Sequence, residues 1–278
     1  KPSLIVAKTV IGKGAPTKEG TAGSHGAPLG PKEIEAAKLD SGWNDKPDFY
    51  VPDKVREVFV ERKKELKLQH QQWEEKLAGW KQSDSGQAKL WDSHWEKKLP
   101  DDLLNQLIDS ISGEVDATRN LSGKVIQKMA DLIPSLIGGS ADLEPSNKTL
   151  IKNAESIRAS SLDSNSATDP SFSGRNIHFG IREHAMGGIT NGLALFGSWR
   201  PFCGTFAVFS DFMRPSIRLA AISKLSSIFV FTHDSYGVGE DGPTHQPVEQ
   251  LWALRLIPEL EVWRPADAVE TAAAWNYC

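Results

Sequence analysis

Short apolar runs alternate with amphipathic stretches along most of this chain, and that alternation restricts the fold more than any other feature. "LIGGS" opens the segment "LIGGSADLEPSN" (136–147); "NIHFGI" (176–181), "PFCGTF" (201–206) and "SSIFVF" (226–231) follow. Each run is short enough for a strand. Helical patterns lie between and after them: "LSGKVIQKMADLIPSL" (121–136), "REHAMGGITNGLALFG" (182–197), "FSDFMRPSIRLAAISK" (209–224) and "PVEQLWALRL" (247–256). Strands separated by helices pair side by side through crossover connections, so the pattern predicts an α/β fold: a parallel sheet flanked by helices.

Nearer the start, "LIVAKTVIG" (4–12) reads as a further strand, followed by a Gly-rich loop and a helix opening at "PKEIEAAK" from Pro31. Residues 54–82 are polar with spaced Val, Phe, Leu and Trp, the pattern of one or two exposed amphipathic helices. "KQSDSGQAKLWDSHWEKKLP" (81–100) carries charge on every side and reads as a connector. "KNAESIRASSLDSNSATDPSFSG" (152–174) is Ser- and Asn-rich, as in a surface loop or a weak helix. "ELEVWRP" (259–265) reads as a last strand before the terminal helix "DAVETAAAWNYC". A chain that opens in a strand pattern and stops inside a helix pattern is expected to be an interior piece of a longer polypeptide. No internal repeat is visible.

Composition narrows the class. At 278 residues, with 39% apolar and 24% charged residues, the chain has the make-up of one large globular domain or two ordinary ones. A net charge of −4 gives no reason to expect a nucleic-acid partner. No apolar run reaches the roughly 20 residues of a membrane span, so no membrane partner is expected. Cys203 and Cys278 form neither a disulfide framework nor a paired metal-ligand spacing, which points to a reducing cytoplasm, with Cys203 as a small core residue. The histidines lack the HxxxH spacing, so no metal site is expected within the chain.

Three polar, glycine-bearing segments sit where strands are expected to end: "KTVIGKG…GSHGAP", "GGSADLEPSN" and "HDSYGVGEDGPTHQP". Each alone reads equally well as a tight turn. Together they suggest one shared site, because ligands in α/β sheets bind beyond the carboxyl ends of the strands. Glycine lets backbone approach a ligand closely and proline stiffens a loop.

"SHGAPLG" (24–30), "GGSADLEPSN", "FGIREHAM" (179–186) and "THDSYGVGEDGPTHQP" (232–247) resemble the transketolase family, thiamine-diphosphate enzymes that move two-carbon ketol units between sugar phosphates. "GEDGPTHQP" alone is shared with related thiamine enzymes. The four together, in this order, resemble the transketolase type. The likeness runs along nearly the whole chain and is weakest between about residues 43 and 115. It implies a thiamine-diphosphate-binding fold with the end of a diphosphate-binding domain plus a helical linker over 1–96, and most of a pyrimidine-binding domain over 97–278. The family's Gly-Asp-Gly segment, which holds Mg2+ (or Ca2+) and the diphosphate, has no match here. By the resemblance the ion is held by residues outside this chain, and the chain alone is inactive.

The same resemblance assigns roles. Glu183 hydrogen-bonds the pyrimidine ring nitrogen of thiamine diphosphate and favours the imino tautomer that yields the C2 carbanion. Read without the family, it is a carboxylate favoured by a helix N-terminus. His25 lies near cofactor and substrate. Phe209 stacks on the aminopyrimidine, Phe206 lines the same pocket, and Asp142 supports it. The three-residue spacing of Phe206, Phe209 and Phe212 is equally the core face of a helix. Arg119 and Ser146 receive the substrate phosphate, one by a bidentate fork and the other by a hydroxyl; by themselves they pass for a solvated helix-start charge and a turn residue. His233 and Asp241 contact donor hydroxyls, and His245 lies by the donor's carbonyl end. The family also implies sugar phosphate substrates and a homodimer with the site at the subunit interface. Dihydroxyacetone synthase chemistry and a non-catalytic interaction fragment stay open as alternatives.

Overall fold

The computed structural model describes residues 3–43, 45–157 and 172–278. The chain forms two compact units, Lys1–Ala78 and Gly79–Cys278.

In the first unit, a run of turns over residues 11–27 contains one turn of 3-10 helix at Ala22–Ser24 and leads to α1 (Pro31–Asp40). Pro31 starts α1, where its fixed φ suits a helix and its missing N–H costs nothing. Glu33 in the first turn of α1 reaches back to accept hydrogen bonds from the backbone N–H and the hydroxyl of Thr17, both at 2.7 Å. These bonds tie the Gly-rich loop to the helix and hold the Glu33 carboxyl below its ordinary pKa. The expected strand over 4–12 is absent: this stretch is irregular, and Leu4 and Ile5 are 89% and 88% exposed. A strand needs a neighbour to pair its N–H and C=O groups, and the described residues of this unit form none.

The polar pattern over 54–82 becomes a single helix, α2 (Asp53–Ser83), in which no residue is buried. Such a helix rests on same-face pairs, here Arg62 with Glu65 and Lys64 with Glu61. The expected connector over 81–100 is largely α3 (Ser85–Glu96). Asp84 caps it by accepting from the Gln87 N–H at 3.0 Å, and Trp91 and Trp95, four apart, lie ring against ring at 5.8 Å. Charge around the segment hid the cap and the aromatic spacing.

Two short helical elements follow, α4 (Leu103–Asp109) and α5 (Thr118–Leu132), before the sheet begins. The sheet strands are β1 (Leu136–Ser140), β2 (Asn176–His178), β3 (Arg200–Phe206) and β4 (Ile228–Thr232), all parallel in the order β2-β1-β3-β4. Between and after them run α6 (Glu144–Asn147), α7 (Glu183–Phe196), α8 (Ser210–Ile222), α9 (Gln250–Arg255) and α10 (Ala268–Tyr277). The α/β fold with a helix-flanked parallel sheet is thus observed. The expected last strand, 259–265, joins no ladder among the described residues; it begins at a left-handed residue, Glu259, with φ 64°. Of the Ser- and Asn-rich segment 152–174, residues 158–171 lie outside the described residues.

Successive residues of β3 point to opposite faces. Phe202 enters a core shared with α4, α5 and α10, whereas Cys203 enters one shared with α7, α8 and α9. Burial pushes the Cys203 thiol up to about 12, so it is an inert core group. Phe202 is fully buried and meets Trp275 edge-to-face at 5.9 Å, while the Trp275 indole N–H donates to Ser122 at 2.9 Å. Truncating a buried phenylalanine at such a position leaves a cavity. Phe202→Ala is expected to cost roughly 3–5 kcal/mol, read as a drop in the urea midpoint with little change in slope.

Candidate active site

All four strands end at the same edge of the sheet, and the candidate residues of the second unit gather there. β1 leads to Asp142 and Ser146, β2 to Glu183, β3 to Phe206 and Phe209, and β4 to His233, Asp241 and His245. Arg119 stands in the first turn of α5, which turns directly into β1 and therefore starts at that edge. Strand order reverses between β1 and β3, the kind of switch point where α/β sheets leave a crevice.

Arg119, Ser146, Phe206, His233 and Asp241 line one cavity of about 1060 Å³. His233 is its best-defined member. Its imidazole lies against the Phe206 ring at 3.8 Å, and Nε2 sits 2.8 Å from Nη1 of Arg119. A guanidinium can only donate, so Nε2 accepts and the neutral ring carries its proton on Nδ1. That proton is donated to Oγ1 of Thr232, 2.9 Å away. The backbone at His233 is left-handed, φ 54°. Burial, then the adjacent Arg119 charge, holds the His233 pKa below the ordinary imidazole value, against the opposing pull of Asp241 and Asp234.

Phe206 and Phe209 lie nearly parallel at 6.1 Å, and His245 sets its ring edge-on to Phe209 at 5.3 Å. The spacing that equally suited a helix face belongs instead to a strand end and the 3-10 turn after it, with Phe206 buried and Phe212 exposed. Glu183 opens α7, where the helix N-terminus favours its charge. It is only 7% exposed, and among the described residues its carboxyl has no hydrogen-bond or ion-pair partner. Asp142 takes φ 59° in the turn after β1, where Ser140 Oγ accepts from the Leu143 N–H at 3.1 Å. Glu183, Asp142, Phe209 and His245 do not line the cavity with the other five. His25 lies in the first unit, exposed, at the end of the 3-10 turn.

Sequence reasoning missed two buried polar groups, of which Thr232 lines the cavity and Asn147 does not. Thr232, the last residue of β4, and Asn147, at the end of α6, are buried and joined by a 2.8 Å hydrogen bond from Asn147 Nδ2 to Thr232 Oγ1. Both stand inside segments already singled out, but nothing in their spacing signals that a polar side chain turns inward.

Both units of the chain resemble known proteins. The family model for the transketolase pyrimidine binding domain matches residues 115–277, and that for the transketolase thiamine diphosphate binding domain matches residues 1–100. Curated relatives include transketolases of Geobacillus stearothermophilus, 49% identical, and Bacillus subtilis, 47% identical, each over 99% of this chain. The chain spans 40% of the length of each of these relatives. Among solved structures, transketolase from Campylobacter jejuni matches with a TM-score of 0.82 at 39% identity, covering 99% of this chain and 40% of that one. Pichia stipitis transketolase in complex with sedoheptulose-7-phosphate matches with a TM-score of 0.84 at 39% identity, covering 96% of this chain and 39% of that one.

The Arg119–His233 contact sets a sign for pH. A lowered folded pKa means that the unfolded chain takes up this proton more readily, so His233 costs stability as pH falls below the ordinary imidazole value of about 6.5. Arg119→Gln removes one cause and leaves burial. The His233 pKa is then expected to rise without regaining its ordinary value, followed by NMR titration of the ring. An unmoved pKa would show that the guanidinium exerts no field on this histidine.

Proposed function

The chain belongs to the transketolase family, and from that premise we propose that it supplies the pyrimidine-side half of a transketolase active site, transferring a two-carbon ketol unit from a ketose phosphate to an aldose phosphate. The gathering of Arg119, Ser146, Phe206, His233 and Asp241 at the carboxyl end of a groove that runs along β4 carries this reading. The cavity combines a guanidinium fork and a hydroxyl, suited to a phosphate, with imidazole and carboxylate groups suited to sugar hydroxyls. A sugar phosphate is the ligand named for the Pichia stipitis neighbour.

Thiamine diphosphate fits the residues present. Glu183 is 7% exposed as a residue and its carboxyl has no hydrogen-bond partner among the described residues, which leaves its oxygens free to meet a ring nitrogen. Phe209, stacked on Phe206 at 6.1 Å, would offer its ring to the aminopyrimidine with Phe206 lining the same pocket, and Asp142 would support the cofactor cavity. When bound, the cofactor supplies the acidic C2–H carbon that carries the two-carbon unit. Glu183 would share a proton with the pyrimidine nitrogen, His233 and Asp241 would hold donor hydroxyls, and His245 would stand by the donor carbonyl. His25 is proposed, by the family resemblance, to act near cofactor and substrate. In this proposal 1–96 is the end of the diphosphate-binding domain with its linker, and 97–278 is the pyrimidine-binding domain. Mg2+ (or Ca2+) is held by residues outside the chain, and the chain by itself is inactive. The setting proposed is cytoplasmic, without nucleic-acid or membrane partners; no helix among the described residues is long and apolar enough to cross a membrane.

A homodimer completes the proposal. On α7, Ala185, Gly188, Ile189, Gly192 and Phe196 are exposed at helical spacing, a largely apolar stripe. Leu219 and Ile222 on α8 add to it. An uncovered stripe of this kind suits a second copy meeting it about a twofold axis. Sedimentation of the complete enzyme is expected to give a dimer, and Ile189→Glu to weaken it; a fully active monomer would rule the interface out.

Glu183 provides the chemical test. Glu183→Ala in the complete enzyme is expected to slow deuterium exchange at the cofactor C2 and to lower kcat by about 10²- to 10⁴-fold, the range of general acid–base contributions. Exchange as fast as in the unmutated enzyme would leave Glu183 as a helix-start carboxylate only.

A further inference from the structure

We propose that Gln127 is a positioning residue for the substrate phosphate: it fastens the chain that carries Ser146 to the helix that carries Arg119. This rests on the reading that those two residues receive the phosphate.

Residues 149–155, just past Ser146, belong to no helix or strand, yet Thr149 and Ile151 are buried. Buried backbone must find partners, and two side-chain amides supply them here. Gln127 Nε2 donates to the Leu150 carbonyl at 2.8 Å, and its Oε1 accepts from the Lys152 N–H at 2.9 Å. Between those two bonds, Asn176 of β2 accepts from the Ile151 N–H and donates to the Ile151 carbonyl, both at 2.9 Å. Gln127 and Asn176 thus hold four successive backbone groups. Gln127 Nε2 also donates to the Gly123 carbonyl at 3.0 Å, so the amide has one orientation: flipped, its oxygen would face two carbonyls.

Arg119, Gly123 and Gln127 stand four apart and share one face of α5. At Gly123 the segment lies against that face. A Cβ there would come within 2.7 Å of the Lys148 Cβ and 3.0 Å of the Lys148 carbonyl oxygen. Glycine inside a helix is otherwise unfavourable; here it lets the chain two residues past Ser146 approach the helix. One face of α5 therefore presents Arg119 to the cavity and, about one and two turns further on, holds the chain leading from Ser146, which lines the same cavity. Loosening Gln127 frees Ser146 to move relative to Arg119, whereas the groups assigned to the reacting end of the sugar keep their places.

The test is steady-state kinetics of the complete enzyme with fructose 6-phosphate and with fructose, two donors that differ only in the phosphate. Gln127→Met, similar in length, is expected to raise KM for fructose 6-phosphate by about tenfold, the scale of one lost hydrogen bond, with kcat nearly unchanged. Its kcat/KM for fructose is expected to stay as it was. Gln127→Glu keeps the acceptor for the Lys152 N–H and loses the two donors, so its KM is expected to lie between the two; it also reports if Gln127→Met fails to fold. In the chain itself, Gln127→Met is expected to speed exchange of the Lys152 amide proton. An equal fall in kcat/KM for both sugars would reduce Gln127 to a structural role and overturn the proposal, as would faster amide exchange with an unmoved KM. Failure of the functional reading looks different: Arg119→Gln would then lower activity on fructose as much as on fructose 6-phosphate, whatever Gln127 does.

Discussion

In a parallel ladder every strand must end at the same edge, and β1, paired with β2 on one side and β3 on the other, makes that edge continuous. All five residues of β1 are buried, so its register is held by both faces and both neighbours. The loops that follow are then delivered side by side whatever their sequence separation. Arg119 and His233, 114 positions apart, come within hydrogen-bonding distance because α5 starts, and β4 ends, at this edge.

That constraint also explains what was legible in the sequence. "PFCGTF" announces a strand because a central parallel strand is apolar on both faces, "SSIFVF" does so as a short β-branched and aromatic run, and the helices between them carry the 3.6-residue period. The same signal misled at "LIVAKTVIG" and "ELEVWRP". An apolar run states that a strand is affordable, and pairing depends on a neighbour that local sequence does not report. At the site, charged and aromatic residues in glycine-rich loops stood out. Their grouping came from the resemblance, since spacing alone left Arg119 as a surface charge and Phe209 as a helix face. Asn147 and Thr232 gave no signal at all, because inward-turned polar groups are chosen by partners distant in sequence.

Helix α7 shows how one element serves two demands. Its glycines divide by face: a Cβ on Gly187 would meet the Ser216 Cβ at 2.7 Å, so this glycine lets α8 pack close within the chain. Gly188 and Gly192 face open space, on the stripe with Ile189 and Phe196. A helix used only inside the fold has no need of small residues on both faces. The buried Glu183 opens this helix, and Met186 and Thr190 continue its inward face one turn and two turns on. Whatever covers the outward stripe therefore presses on the same rigid rod that carries the carboxyl. In the proposed enzyme, assembly and proton chemistry are both set by the placement of a single helix.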